Sequence, residues 1–256
     1  MLFGEERKSK IVEYIHNHGR GSVQELTQAF DVSESTIRRD LKELEEENYL
    51  RRTHGGAIAS EGVNFEPSFL EKEDHFANEK RAIAKKAIEF VKEGDTILVD
   101  SGTTTLHLVD ELKTLSNVTI VTNSLVFGEK LQNCTNLEVV ILGGSLRPET
   151  LALVGPLTDQ ALEVIRVDKA FIATNGLDIA DGLTTPNLLE ATTKKKMIAS
   201  AKQNILLTDH SKVGKVAFGK FAKIEEVDIC IIDNGVDKQF TDQLIERGID
   251  VNIVNV

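Results

Sequence analysis

Two groups of residues in this chain have the types and spacing to do chemistry. The first is Ser33-Glu34-Ser35-Thr36-Ile37-Arg38-Arg39-Asp40-Leu41-Lys42, with Arg51-Arg52-Thr53-His54-Gly55 shortly after it. Guanidinium groups near a helix start, flanked by hydroxyls, suit base edges and phosphates in a DNA groove. The second is Asp100-Ser101-Gly102-Thr103-Thr104-Thr105. Small hydroxylated residues and a glycine at a strand-to-helix turn leave backbone N–H groups for an anion, and the helix dipole assists. An ordinary capped turn uses the same residue types. No Gly-x-Gly-x-x-Gly stands here, so the loop suits one phosphate monoester better than a dinucleotide.

Other polar clusters close strand-like runs: Asn123-Ser124, Gly143-Gly144-Ser145, Thr174-Asn175-Gly176 and Asp209-His210-Ser211-Lys212. In an open α/β sheet the C-terminal strand ends gather along one edge, where ligands bind. Lys212 is a candidate counter-ion for a phosphate. Asp100 and Asp209 are candidate acceptors for sugar hydroxyls, although each also reads as a turn or capping aspartate. Lys194-Lys195-Lys196 reads as the solvated face of a helix. His107 and His210 border the proposed site and read as packed or solvated. None of the six histidines has metal-type partners at short spacing, so neither a metal nor a bound cofactor is expected. No Ser/His/Asp set follows from spacing.

The elements that must position these groups fall into two styles. Residues 6–17 carry Ile11, Val12 and Ile15 at helical spacing, and His18-Gly19-Arg20-Gly21 breaks the helix. Ser22-Val23-Gln24-Glu25 is a capping box that opens a second helix with Leu26, Ala29 and Phe30 inward. A tight turn at Asp31-Val32 leads to Ser33, a good N-cap. Ile37, Leu41 and Leu44 then form one narrow apolar stripe, leaving Ser35, Thr36, Arg38, Arg39 and Lys42 off it. Helix, turn, recognition helix is a helix-turn-helix order. Residues 50–58 read as a small hairpin whose Gly55 and Gly56 permit positive φ in the turn.

Residues 59–77 mix turn formers with charges and read as a linker to a charged helix at about 78–92. Beyond it, β-rich runs at 96–100, 118–123, 137–142, 170–174, 205–209 and 228–233 alternate with helical stretches. Near-continuous apolar strands of this kind predict a doubly wound, mostly parallel sheet covered on both faces. The expected division is a DNA-binding head at 1–58 and an effector-sensing, oligomerising α/β domain at 78–256.

The net charge of −11 argues against a bulk binder of polyanions. Residues 1–59 hold nine Lys/Arg against eleven Asp/Glu, so even the head is not basic overall. Its positive charge is concentrated at Arg38, Arg39, Lys42, Arg51 and Arg52. Contact with DNA is therefore expected to be local and to weaken as salt rises. No apolar run of membrane-spanning length and no signal-peptide core occurs. Cys134 and Cys230 read as small buried hydrophobes, which fits a reducing cytoplasm.

Ser33-x-x-Thr36-Ile37-Arg38-Arg39-Asp40-Leu41, Leu44-Glu45 and Arg52-x-His54-Gly55-Gly56-Ala57 together resemble the signature of DeoR-type bacterial transcriptional regulators. The likeness continues through Glu66-Pro67-Ser68-Phe69, Glu79-Lys80-Arg81-x-Ile83-Ala84 and residues 100–105. It extends to Gly182-Leu183-Thr184-Thr185-Pro186-Asn187 and Asp209-His210-Ser211-Lys212, and so runs over essentially the whole chain. Asn48 departs from the family's usual glycine after the recognition helix, and asparagine also suits a left-handed cap.

The resemblance implies a winged helix-turn-helix and a sensor domain similar to ribose-5-phosphate isomerase. It implies a repressor of a sugar-catabolic operon, binding double-stranded operator DNA as a dimer or tetramer and released by a phosphorylated sugar. The family's phosphate loop maps onto Ser101, Gly102, Thr103, Thr104 and Thr105. Asn123, Thr174, Asn175, Gly176, Thr184, Thr185, Glu190 and Lys212 complete the implied site. The isomerase likeness supplies the rival reading, an enzyme. Such isomerases carry a Lys-Gly-Gly-Gly turn and an Arg-Glu-Lys helix step. Here those positions read Gly182-Leu183-Thr184-Thr185 and Lys194-Lys195-Lys196, which lack the lysine and the carboxylate base that proton shuttling requires.

Overall fold

The computed structural model describes residues 4–47, 49–59, 66 and 68–256. The chain divides into two compact units, Met1–Pro67 and Ser68–Val256.

The first unit runs α1 (Gly4–His18), β1 (Arg20–Ser22), α2 (Val23–Phe30), α3 (Glu34–Glu46), β2 (Leu50–Thr53) and β3 (Gly56–Ala59). The Ser22–Glu25 capping box forms as expected and starts α2. Ser33 caps α3 through a hydrogen bond accepted from the Thr36 N–H at 3.3 Å. Ile11, Ile15, Leu26, Ile37, Leu41 and Leu44 close one small core. Ala29 is exposed and Phe30 only partly buried, so the inward face of α2 is Val23 and Leu26 instead. The break at residues 18–21 conceals β1, which completes a three-stranded antiparallel sheet in the order β1-β3-β2. Asn48 and its proposed capping role lie outside the described residues.

Neither Gly55 nor Gly56 has the expected positive φ. Gly56 is required for another reason. A Cβ there would lie 2.1 Å from the Gly21 carbonyl oxygen, where β3 pairs with β1.

The second unit begins earlier than the expected linker allows. α4 (Phe69–Asp74) falls within residues 59–77, and Phe69 packs into the core at 4% exposure. Then come α5 (Ala77–Ala87), β4 (Thr96–Val99), α6 (Thr103–Leu112), β5 (Val118–Thr122), α7 (Leu125–Leu131) and β6 (Leu137–Ile141). A hairpin of β7 (Ser145–Arg147) and β8 (Ala152–Val154) precedes α8 (Pro156–Val164) and β9 (Val167–Ile172). β10 (Gly176–Asp178), β11 (Gly182–Thr185), α9 (Leu188–Ser200), β12 (Ala201–Leu207), β13 (Gly219–Ala222), β14 (Ile229–Asp233), α10 (Lys238–Glu246) and β15 (Asp250–Val254) complete it.

Seven strands form one sheet in the order β15-β14-β12-β9-β4-β5-β6. All its pairings are parallel. Alternate residues of the same strands feed two cores. Leu98, Ala170, Leu206 and Ile232 face α8, α9 and α10. Ile97, Val99, Phe171, Ile205 and Ile231 face α4, α5, α6 and α7. The expected doubly wound class is therefore observed. Cys230 is buried, whereas Cys134 is only partly so.

Candidate functional site

The DNA-facing candidates cluster on α3 and the β2–β3 wing. The Ser33 hydroxyl lies 2.8 Å from that of Ser35 and 2.9 Å from that of Thr36. Arg38, Arg39 and Lys42 are exposed, and each is paired with an acid one turn on or back. Arg38 meets Glu34 at 3.3 Å, Arg39 meets Glu43 at 4.0 Å, and Lys42 meets Glu46 at 3.7 Å. Arg52 lies 3.8 Å from Glu45, whose Oε1 also accepts the Arg52 backbone N–H at 2.8 Å. Arg51, His54 and Gly55 are exposed on the wing. Arg38, Glu45, Arg52, Thr53 and His54 line one open cleft of about 400 Å³ between recognition helix and wing. Surface pairs of this kind are worth about 0–1 kcal/mol each, so a phosphate competes with them readily.

One charged pair in this unit lies inside. Arg7 Nε donates to Asp40 Oδ2 at 2.6 Å, and a second guanidinium nitrogen reaches Asp40 Oδ1 at 3.1 Å. The fork ties α1 to α3 and sets the azimuth of the recognition helix. Asp40 falls three residues after Ile37 on the buried stripe, the signal that would have found it.

In the second unit, Asp100, Asn123, Thr174 and Asp209 follow β4, β5, β9 and β12, so the sheet sets them side by side. α6 starts at Gly102 with no side-chain cap. A Cβ on Gly102 would lie 2.5 Å from the Ala173 Cβ, so only glycine admits this approach. Thr105 Oγ1 turns back to the carbonyls of Asp100, at 2.5 Å, and Gly102, at 2.8 Å, bracing the loop. Asp100 Oδ2 accepts the Ala173 N–H at 3.1 Å, whereas Oδ1 is buried with no partner.

Some expected residues have structural tasks. Ser124 caps α7. Thr174 and Thr184 donate to the carbonyl of Gly176, and Thr185 donates to the Asn175 side chain, closing the β10–β11 hairpin. Gly144 sits where a Cβ would strike Thr158. Asp209 Oδ1 caps the turn that carries Lys212, while Asp209 Oδ2 is buried without a partner. Burial alone would raise the Asp209 pKa, yet Lys212, Ser211 and Lys80 together hold it below the ordinary value.

The lysine run is not a solvated face throughout. Lys194 is 3% exposed, and its Nζ donates to Asp100 Oδ2 and to the Ala173 carbonyl. It also lies 3.9 Å from Glu190, which pairs with Arg147 of the β7–β8 hairpin. Lys80 is equally hidden, at 3% exposure on the inner face of α5. Its Nζ donates to the Lys72 carbonyl and lies within electrostatic reach of Asp209, Lys212 and His107. Lys194, Lys80 and Arg147 all escape a reading of charge alone. The signal for the two lysines is helical phase: Lys80 shares a face with Ile83, Ala84 and Ala87, and Lys194 with Ala191, Met197 and Ile198.

With both regions in view, family comparison is decisive. Residues 7–62 match the DeoR-like helix-turn-helix domain, and residues 75–234 match the DeoR C terminal sensor domain. The chain belongs to the DeoR family of transcriptional regulators. It is 38% identical over 246 residues to the HTH-type transcriptional regulator GlpR of Haloferax volcanii, covering 96% of each chain. It is 37% identical over 233 residues to the lactose phosphotransferase system repressor of Staphylococcus epidermidis, covering 90% of this chain and 92% of that one. Ribose-5-phosphate isomerase from Methanocaldococcus jannaschii aligns over 52% of this chain and 53% of its own, at 20% identity and a TM-score of 0.39. So partial a likeness carries no weight; the α/β class rests on the sheet itself. This DeoR-family chain is a DNA-binding regulator. Among the described residues, no helix is long and apolar enough to cross a membrane.

Proposed function

We propose that this regulator represses a sugar-catabolic operon in the cytoplasm and releases it when a phosphorylated sugar binds the second unit. In this reading Ser33, Ser35, Thr36, Arg38, Arg39 and Lys42 approach base edges and phosphates. Arg51, Arg52, His54 and Gly55 follow the backbone from the wing. A dimer or tetramer sets two heads at the spacing of DNA half-sites, about 34–36 Å or a multiple of it.

The observation that carries the effector site is the start of α6, which has no side-chain cap, on a helix whose His107 feels the buried Lys80, itself within electrostatic reach of Asp209 and the half-buried Lys212. Backbone N–H groups of Ser101, Thr103, Thr104 and Thr105, a helix dipole and two ammonium groups together suit a phosphate dianion, the Gly102 N–H being donated to the Asp100 carbonyl. Asp100, Asn123, Thr174, Asn175, Gly176, Thr184, Thr185, Glu190 and Asp209 surround the rest of the ligand, with Ser124 beside Asn123 at the start of α7. The effector weakens DNA binding only through a preference for one arrangement of the oligomer, typically a coupling of about 1–3 kcal/mol.

An isomerase reading is disfavoured. It needs a carboxylate free to carry a proton between carbons. Asp100 is tied to Lys194 and Glu190 to Arg147, while Asp209 is held acidic.

The test is thermal melting of the intact protein against phosphorylated sugars and their unphosphorylated parents. A ligand at 100 times its Kd adds about 2.7 kcal/mol of stability. A shift with a phosphorylated sugar and none with its parent is the expected result. No shift across the panel would remove the sugar-phosphate sensor and leave the DNA-binding unit standing.

A further inference from the structure

The two faces of the second unit are finished differently. Over α5, α6 and α7 the surface carries ion pairs, among them Lys86–Glu89, Lys113–Asp110 and Lys130–Asp110. Around the start of α9, on the other face, Leu146, Leu157, Leu188, Leu189, Val216 and Phe218 stand 41% to 67% exposed.

Contacts beneath these six side chains bring them together. Leu188 and Leu189 open α9, and a turn of about 100° per residue sets them on either side of its outward face. Leu189 leans toward α8 and the β7–β8 hairpin. One turn on from it, Thr193 donates to Asp159 of α8 at 2.7 Å, two residues after Leu157. Its neighbour Glu190 holds Arg147, which follows Leu146. Leu188 leans the other way, toward β13. Gly219, next to Phe218, packs so closely on α9 that a Cβ there would lie 2.9 Å from the Ala191 Cβ and 3.5 Å from the Asn187 carbonyl oxygen. Between Val216 and Phe218, the Ala217 N–H donates to Thr184 Oγ1 at 2.8 Å, and the two flanking side chains stay in solvent.

Size and charge say what covers this face. Six half-exposed side chains amount to on the order of 500 Å² of apolar surface, at the upper end of what a monomer leaves in water, about 300–600 Å². A stable interface takes about 800 Å² from each partner, of which about 56–65% is non-polar, so the areas agree. The rim is basic on one side and acidic on the other. Lys195 and Lys220 are exposed on the β13 side. Glu149 of the hairpin and Glu163 of α8 lie on the opposite side and stay more than half exposed, although each touches a cation of its own chain. Such a surface is complementary to itself after a half-turn: the basic rim of one copy falls on the acidic rim of the other, and the apolar centres meet.

We infer that this face is the seam between two copies of the chain, related by a two-fold axis that passes near the start of α9. The inference rests on the oligomer proposed above and names its surface. α9 then has two tasks. Its inward Lys194 holds Asp100 at the strand end, and its outward Leu188 and Leu189 hold the partner.

The test is sedimentation velocity of the intact protein over a wide range of concentration. The wild type is expected to sediment as a dimer or a multiple of one. Leu189→Glu and Phe218→Glu put a carboxylate at the centre of the seam and are each expected to weaken association roughly 100-fold. Ile253→Glu, at a similarly exposed position on the edge strand β15, is expected to leave association unchanged. Circular dichroism checks the fold of each variant; the two seam variants lie on different segments, so unfolding of one leaves the other to decide. A wild type that is monomeric throughout overturns both the seam and the proposed oligomer, and leaves the face to a different protein. An oligomeric wild type untouched by Leu189→Glu and Phe218→Glu overturns the seam alone. Dissociation by Ile253→Glu instead moves the contact to β15. Assembly that keeps growing with concentration overturns the two-fold axis.

Discussion

Lys194 on α9 places its ammonium on the carboxylate of Asp100, 94 residues earlier in the chain, and both side chains are buried. The pair staples a helix on one face of the sheet to the end of β4, an inner strand. Replacing one member leaves the other charge buried without compensation, which typically costs about 3–5 kcal/mol. Lys194→Met is expected to lower stability by that amount in urea unfolding. Combining it with Asp100→Asn should return a large part of the loss, because the orphaned carboxylate is gone. Additive losses in the double variant would mean that the two residues are not coupled.

The fork between Arg7 and Asp40 makes the same kind of prediction for the DNA-binding unit. With side chains 8% and 3% exposed, this pair too is a buried one. Arg7→Ala is expected to cost about 3–5 kcal/mol, a large share of what so small a unit possesses. DNA binding should fall although Arg7 touches no base. Circular dichroism should report lost helix in step with lost binding. Weak binding with helix content and melting intact would assign Arg7 to DNA contact instead.

Much of this was legible in the residues. Capping signals at Ser22 and Ser33 fix where α2 and α3 begin, because a hydroxyl acceptor at a helix start acts locally. The central strands were legible because burial on both faces makes them continuously apolar. What stayed hidden depends on partners remote in sequence. β1 is three residues long and exists only because β3 pairs with it. Lys194 and Asp40 look solvated by type, and only their helical phase marks them as inward. The buried, unpartnered oxygens of Asn123 and Thr150 emerge only once the β7–β8 hairpin folds over the strand ends. Gly56 was singled out for the wrong property, since steric closeness and positive φ demand the same residue.

Arg38 is half exposed and held by Glu34 at 3.3 Å, one turn nearer the helix start. If it makes a bidentate base contact, Arg38→Ala should cost about 1–3 kcal/mol on the operator and relax preference at one base position. Glu34→Gln frees the guanidinium without removing it. It is expected to strengthen binding to random duplexes and to the operator by similar factors, since a carboxylate repels every phosphate alike. Fluorescence anisotropy on both DNAs at two salt concentrations separates the cases. An equal loss for Arg38→Ala on every sequence would move Arg38 to the phosphate contacts.

Thr103 is the first residue of α6 and 8% exposed. Aspartate is tolerated in a first helical turn, so Thr103→Asp should fold. It places a negative charge where the phosphate is proposed to sit. The variant is expected to hold operator DNA normally and to ignore the effector at concentrations that release the wild type. Normal release measured by anisotropy would take the phosphate away from this loop.

If the phosphate sits beside Lys80 as proposed, effector binding is expected to depend on pH. Burial lowers its pKa from 10.5 to about 8, the attraction of Asp209 offsetting part of that and the repulsion of Lys212 adding to it. Lys72 and Glu73 act more weakly, while Lys80 in turn helps to depress His107. For the empty protein the sign is clear. Between about pH 8 and pH 10.5 the unfolded chain keeps a proton that the folded chain has lost, so this group makes stability rise with pH across that window. Effector binding runs the other way. A phosphate dianion beside Lys80 favours the ammonium, so binding takes up protons near pH 8, and affinity falls as pH climbs above about 8. The ligand phosphate has lost its second proton well below that range and contributes little there. Titration calorimetry in two buffers of different ionisation enthalpy, from pH 7.5 to 9.5, measures the uptake directly. Lys80→Arg, whose guanidinium stays protonated throughout, should flatten the affinity profile. A wild-type profile as flat as that of the arginine variant would mean that Lys80 does not meet the phosphate.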